Sequence, residues 1–282
     1  MSRSQERLKK ILSEQGRDPK KSLGQNFLIS DGVIEKVIQA TESFAPTHLL
    51  EIGPGPGSLT FDLLERLKPR VESFRVIELD RGWAEFWRQK DLSVIEADAL
   101  RIPWKDFILE KTVLVSNLPY QISSTLVIDR SLDEKGLSGM VLMFQKEVAQ
   151  KIRGTPKNEL YGFLSVIAQS FWKIETVAEA GPRDFWPPPK VASRVLRFVP
   201  RPMDDVPRDR EGFLEFVKMA FQQRRKTLRA NWEGYLNRRP EGWARVLTQV
   251  KGWGFSEKLR AEELTPLQFQ LLYAIWDRKT RA

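Results

Sequence analysis

Apolar positions along the first two hundred residues alternate between two spacings. Residues 33–44 (VIEKVIQATESF) carry them at helical intervals, and residues 47–52 (THLLEI) then read as a buried strand. That strand runs into the glycine-rich segment 53–57 (GPGPG). Residues 58–67 (SLTFDLLERL) return to helical spacing, with Ser58 expected as the N-cap. Further strands are predicted over 74–79, 93–96, 112–116 and 139–144, with helical segments between them. This alternation predicts an α/β fold, a parallel sheet with helices on both faces. Residues 173–180 and 191–199 read as two later strands flanking the proline-rich turn 187–189, expected to pair antiparallel at one sheet edge. A linker rich in proline and aspartate, 200–207, ends the pattern, and from about Glu211 the chain is helical and strongly charged. The expected organisation is an N-terminal arm and α/β domain over 1–202, followed by a smaller helical domain over 203–282.

Composition narrows the class. The 282 residues suffice for two cores, and 41% hydrophobic residues exclude wholesale disorder. No apolar run is long enough to span a bilayer, and the charged N-terminus does not read as a secretory signal, so a cytoplasmic protein without a membrane partner is expected. With no cysteine and the single histidine His48, no metal site is expected; His48 reads as structural. The net charge of +9 is unevenly spread. Residues 1–24 carry +4, residues 25–200 carry −1 and residues 201–282 carry +6. A neutral body with basic ends suits a polyanionic partner.

The glycine segment, Gly53-Pro-Gly55-Pro-Gly57, lies between a strand and a helix, where ligands bind in open α/β sheets. Glu78 ends the next strand, placed to accept bonds from ribose hydroxyls; Asp98 follows the third strand, within reach of an adenine amine. A dinucleotide loop would carry glycine where this chain has Ser58, and would have to cradle a pyrophosphate. The two prolines remove amide donors, which suits a cofactor without phosphates, such as S-adenosylmethionine.

Directly after the fourth strand comes Asn117-Leu118-Pro119-Tyr120. Adenine N6 is a poor nucleophile because its lone pair is delocalised into the ring. Bonds from its N–H groups to the Asn117 side-chain oxygen and the Leu118 carbonyl, held by Pro119, would favour a pyramidal nitrogen and stabilise the developing positive charge. Tyr120 offers a ring on which an extruded base can stack.

With these motifs the chain resembles the ribosomal RNA adenine N6-dimethyltransferase family of the bacterial KsgA (RsmA) type. The resemblance runs from about Lys20 to Trp276 through LGQNFL, EIGPGPGSLT, VIELD, Asp98-Ala99, NLPY, QKEV, YGFLSV, FWPPPKV and AFQQRRKTLR. It implies a Rossmann-like class I methyltransferase sheet that uses S-adenosylmethionine. It further implies dimethylation of two adjacent adenosines in the 3′-terminal hairpin loop of 16S rRNA, on the immature small ribosomal subunit. It assigns Asn26 and Leu28 to cofactor contacts from the N-terminal arm, Gly53 to the methionine end, Glu78 to the ribose, Asp98 to the adenine and Asn117 to the reacting amine. Phe185 would form a second aromatic wall opposite Tyr120, and of the nine tryptophans only Trp186 is expected near the pocket. The family continues PPPKV with an acidic residue where this chain has Ala192, a local departure.

Residues 222–229 (QQRRKTLR) are expected on a helix opening the second domain, with Arg225 and Arg229 on one face. Arg224, Arg225, Lys226 and Arg229 would contact RNA phosphates. The enzyme is expected to be a monomer. Three other readings stay open: a 23S-type adenine methyltransferase, which shares the catalytic chemistry; a non-catalytic assembly or transcription factor on the same fold; and a nicotinamide dehydrogenase, which explains neither NLPY nor the basic ends.

Overall fold

The computed structural model describes residues 1–19, 26–134, 136–236 and 240–277, with backbone alone for 234–236 and Pro240. The first three residues of LGQNFL lie outside the described residues, as do Arg238, Arg239 and the last five positions of the basic C-terminal segment. In chain order the elements are α1 (Arg3–Glu14), β1 (Phe27–Leu28), α2 (Asp31–Glu42), β2 (His48–Ile52), α3 (Thr60–Arg66), β3 (Ser73–Glu78), α4 (Arg81–Arg88), β4 (Ser93–Glu96) and β5 (Thr112–Asn117). There follow α5 (Ser123–Leu132), β6 (Gly139–Gln145), α6 (Lys146–Ile152), α7 (Phe163–Phe171), β7 (Trp172–Ala180), β8 (Phe185–Trp186) and β9 (Ser193–Pro200). The helices α8 (Arg210–Ala220), α9 (Leu228–Leu236), α10 (Pro240–Gly252) and α11 (Pro266–Asp277) complete the chain.

Seven strands form one sheet in the order β4-β3-β2-β5-β6-β9-β7. The five from β4 to β6 are parallel, and β9 runs antiparallel to β6. The expected edge pair is present: β9 lies beside β7, with Arg194 on Glu179 and Arg197 on Glu175, the reversed order that antiparallel neighbours require. Leu49, Val76, Val113, Val115, Val141 and Met143 are almost wholly buried in this sheet, because helices cover both faces. A separate antiparallel ribbon joins β1 to β8, with Leu28 opposite Phe185.

The chain divides into two units, Met1–Ala149 with Lys173–Pro200, and Gln150–Trp172 with Arg201–Ala282. The domain expected over 1–202 is therefore interrupted: residues 150–172 join the helical unit. The cause lies in α7, whose Val166, Ile167, Ala168 and Phe171 are buried, with the Phe171 ring edge-on to Phe213 of α8 at 6.1 Å. The Tyr161 hydroxyl further donates to the Leu264 carbonyl at 2.6 Å.

Two local expectations are corrected. Ser58 does not cap α3; the chain already turns through Gly57, which donates to the Pro54 carbonyl, and the capping position is Leu59 without a side-chain bond. Residues 222–227 are not helical, because α8 ends at Ala220 and α9 begins at Leu228. The side chain of Asn231 closes this turn, donating to the carbonyls of Ala220 (2.8 Å) and Gln223 (3.1 Å) and accepting from the Gln223 amide (3.1 Å). Arg225 thus sits in a turn and Arg229 on a helix, so they share no helix face.

Candidate active site

The strand order reverses around β2, whose neighbours are β3 and β5. Crevices at such a switch point, beyond the carboxyl ends of the strands, are where open α/β sheets hold ligands. Here β2 ends in the glycine segment and β5 ends in Asn117; the Ser116 hydroxyl donates to the Ile52 carbonyl at 2.6 Å, tying the two strand ends together. A Cβ on Gly53 would lie 4.0 Å from the Pro119 ring, so the two motifs face each other across the switch point.

Gly53, Gly55 and Gly57 all have positive φ, which the loop's course requires. Their amides are spoken for: Gly53 donates to the Ile77 carbonyl at 2.8 Å, Gly55 to the Glu78 carboxylate at 3.0 Å and Gly57 to the Pro54 carbonyl at 2.9 Å. Pro54 and Pro56 have none to offer. No amide from residues 53–57 remains to cradle a pyrophosphate, which excludes the phosphate-binding role a dinucleotide needs from such a loop. The indole of Trp87 donates to the Gly55 carbonyl at 2.9 Å and fixes the loop from beneath.

Glu78 is 7% exposed. Its carboxylate accepts from the amides of Gly55 and Asp80, at 3.0 and 2.9 Å. Burial pushes its pKa up, against the pull of these amides. Asp98 is half-exposed; one oxygen accepts from the Leu100 amide at 2.9 Å and the other lies 3.6 Å from the Arg101 guanidinium. Both carboxylates stand at carboxyl ends of adjacent parallel strands, with the Ala97 amide donating to the Glu78 carbonyl.

Asn117 is half-buried, and its amide nitrogen donates to the Asn26 carbonyl at 3.3 Å. A carbonyl only accepts, so the amide nitrogen and not Oδ1 takes this contact. The NLPY turn is held internally, by the Ile122 amide on the Pro119 carbonyl and the Ser123 hydroxyl on the Tyr120 carbonyl. Tyr120 keeps part of its ring exposed, its hydroxyl 3.4 Å from that of Ser193.

The structure thus brings Asn26, Gly53, Pro119, Asn117 and Glu78 to one crevice. Two expected contributors differ. The Leu28 side chain is fully buried, so only its backbone is available to a ligand. Phe185, 2% exposed, packs in the core cluster with Leu28, and a base reaches its ring only if the residues over it move. Trp186 is half-buried and packs against the same cluster, while His48 is structural, its Nδ1 2.8 Å from the Ser73 hydroxyl. Arg224 is exposed, but its guanidinium also pairs with Glu262 at 2.7 Å and donates to the carbonyls of Glu159 and Asn158, a tie within the second unit. Arg225 and Lys226 are exposed and make no ion pair among the described residues; Arg229 is exposed, 3.7 Å from Glu257.

Sequence reasoning passed over Phe27, whose ring would touch a Cβ on Gly55 at 3.4 Å, and gave no role to Glu51. The Glu51 side chain is buried, with one oxygen accepting from Thr60 at 3.1 Å and the other without a partner among the described residues. Burial pushes its pKa up to about 8. The folded protein keeps this proton at pH values where the unfolded chain has lost it, so the unfolded state binds fewer protons and stability falls as pH rises from the ordinary carboxylate range to about 8. Glu51→Gln, which has no proton to lose, is expected to remove this fall. Its melting temperature relative to the parent should rise between about pH 5 and about pH 8. Parallel melting curves across that window would rule out a protonated Glu51.

A family model described as ribosomal RNA adenine dimethylase matches residues 16–262. The chain is 55% identical over 274 residues to the ribosomal RNA small subunit methyltransferase A of Bdellovibrio bacteriovorus, covering 97% of this chain and 98% of that protein. It is 37% identical to the protein of the same name from Desulfitobacterium hafniense, covering 90% and 91% respectively. Among solved structures, a dimethyladenosine transferase from Plasmodium falciparum is similar with a TM-score of 0.73 at 25% identity, over 87% of this chain and 95% of that one. The 23S rRNA methyltransferase ErmE, at 24% identity and a TM-score of 0.67 over 90% of this chain and 100% of its own, has the same fold. The sheet is that of a class I methyltransferase, as the family resemblance implied. With the glycine segment, the paired strand-end carboxylates and NLPY converging on one crevice, and the family match spanning both units, the chain belongs to the ribosomal RNA adenine dimethylase family.

Proposed function

We propose that this protein transfers methyl groups from S-adenosylmethionine to N6 of two adjacent adenosines in the 3′-terminal hairpin loop of 16S rRNA, on the immature small ribosomal subunit. The observation that carries this reading is the identity of 55% over 97% of the chain to a small-subunit methyltransferase A. The likeness to the 23S enzyme is one of fold. The protein is expected to act in the cytoplasm as a monomer; no helix among the described residues is long and apolar enough to cross a membrane.

The crevice fits the cofactor. A loop with no spare glycine amide suits a ligand without phosphates, and the buried Glu78 carboxylate, with lone pairs left beyond its two amide bonds, suits ribose hydroxyls. Asp98 would accept from the adenine amine, and Asn26, the Leu28 backbone and Gly53 would line the methionine end. Bound there, S-adenosylmethionine supplies a methyl group activated by its sulfonium.

The remaining work belongs to the protein. Asn117 Oδ1 and the Leu118 carbonyl accept the two N–H groups of the target amine, which turns its lone pair out of conjugation and towards the methyl carbon. Pro119 stiffens the turn that presents the carbonyl, and Tyr120 stacks on the base. As the N–C bond forms and the C–S bond breaks, positive charge moves onto N6, where the two acceptors stabilise it. The methylated nitrogen is then acidic, and its proton passes to solvent without a dedicated base. Arg225, Lys226 and Arg229 would hold RNA phosphates, positioning the substrate without reading its sequence.

Mass spectrometry of nucleosides tests this reading. Small subunits lacking the modification, incubated with the protein and methyl-labelled cofactor, should yield labelled N6,N6-dimethyladenosine from the 3′-terminal segment of 16S rRNA. Label appearing only in 23S rRNA, or in no adenosine at all, would overturn it.

A further inference from the structure

The N-terminal arm is linked to the Glu78 carboxylate through one intermediate residue, Asp80. Helix α1 ends at a left-handed Gly16 (φ +58°), after which the Arg17 amide donates back to the Leu12 carbonyl at 3.0 Å. This closure fixes where the Arg17 side chain starts. Its guanidinium donates to Asp80 Oδ1 at 2.9 Å and lies over the Trp83 ring at 4.9 Å. The same Asp80 oxygen accepts from the amides of Gly82 and Trp83 and caps α4. The backbone amide of Asp80, in turn, is one of the two that hold the Glu78 carboxylate.

Gly82 makes the seat possible. A Cβ there would lie 1.4 Å from an Arg17 nitrogen, and its three nearest neighbours all belong to that one guanidinium. The arm does not depend on this contact for its own packing. Leu8, Ile11 and Leu12 of α1 are buried in the core, and Arg3 and Arg7 both pair with Asp62 on α3. Arg17 is thus a separate attachment, made to the residue that orients Glu78.

We propose that Arg17 is a positioning residue for cofactor binding: it fixes Asp80, whose amide fixes the Glu78 carboxylate in the orientation that receives the cofactor. The proposal rests on the reading of Glu78 as the ribose-binding carboxylate. Without the guanidinium, the Asp80 carboxylate loses a cationic partner two residues from Glu78, and the turn between them loses an anchor from the arm.

Calorimetry with S-adenosylmethionine and its demethylated product on the full-length protein tests the proposal, with melting curves and steady-state rates alongside. Arg17→Ala is expected to weaken cofactor binding about tenfold, the low end of what one charged hydrogen bond contributes, and to raise KM for the cofactor while leaving kcat and the melting temperature nearly unchanged. Arg17→Lys should recover part of the loss. Gly82→Ala should reproduce the Arg17→Ala defect by displacing the guanidinium, yet do no further harm in the Arg17→Ala background, since alanine is otherwise the better helix residue. Equal effects of Gly82→Ala in both backgrounds, or a lowered melting temperature with unchanged affinity in Arg17→Ala, would overturn the proposal. Glu78→Ala separates the two ideas. If it leaves affinity intact, the ribose reading fails; if it weakens binding while Arg17→Ala does not, only the role of Arg17 fails.

Discussion

Replacing Asn117 by alanine should slow methyl transfer about a hundredfold while leaving the fold and cofactor affinity largely in place, since one preorganised acceptor aimed at developing charge is worth roughly 3 kcal/mol. The structure explains why the loss falls on the transition state. The Asn117 amide nitrogen faces the Asn26 carbonyl at 3.3 Å, so in the proposed role the oxygen is the atom that would meet the target amine. The ground-state amine carries little positive charge and gains little from that oxygen; the nitrogen in flight gains much. The hydrogen bond to Asn26 is long, so removing it costs little. The NLPY turn keeps its own bonds through Ile122 and Ser123, so the local backbone should stay put. Single-turnover rates at saturating cofactor, set beside calorimetric affinities, separate the two effects. Near-normal single-turnover methylation, or a rate loss matched by an equal loss of cofactor binding, would refute the proposed role.

Much of this site was legible along the chain because its parts are local. Parallel strands buried on both faces give uninterrupted apolar runs, so β2, β5 and β6 lie within a residue or so of their expected limits. Glycines with positive φ and a carboxylate at the end of the next strand mark the proposed cofactor crevice without any tertiary information. What escaped was decided by contacts distant in sequence. Residues 222–227 carry good helix formers, and their turn depends on the side chain of Asn231. The apolar pattern of α7 shows that it is buried, but not whether a sheet or a helical unit buries it. The ring of Phe185 reads the same whether it faces a base or, as here, packs beside Leu28 in the core.

Arginines pose the same ambiguity, and reversing them one set at a time should resolve it. Changing Arg225, Lys226 and Arg229 together to glutamate is expected to weaken RNA binding strongly and to flatten its dependence on salt. Each phosphate neutralised on single-stranded RNA contributes about 0.7 to the slope of log affinity against log salt, so abolishing three such neutralisations should reduce it by about 2. Cofactor affinity should not change. The melting temperature should hardly move, because Arg225 and Lys226 make no ion pair among the described residues and Arg229 is exposed, 3.7 Å from a Glu257 that Lys251 already holds at 2.9 Å. Arg224→Ala should behave in the opposite way. It removes the exposed pair with Glu262 and the donor to the Glu159 and Asn158 carbonyls, which water then replaces, a loss of up to about 1 kcal/mol that lowers melting by a few degrees. The salt slope of its RNA binding should stay as in the parent, since this guanidinium is already committed within the protein. Tyr120→Ala provides the third pattern, sparing most RNA affinity but slowing transfer, because the extruded base loses its stacking surface. If the triple reversal lowers melting while its salt slope matches the parent, the three cations serve the fold and not the RNA. If Arg224→Ala flattens the slope with melting unchanged, the division drawn between Arg224 and its neighbours is wrong.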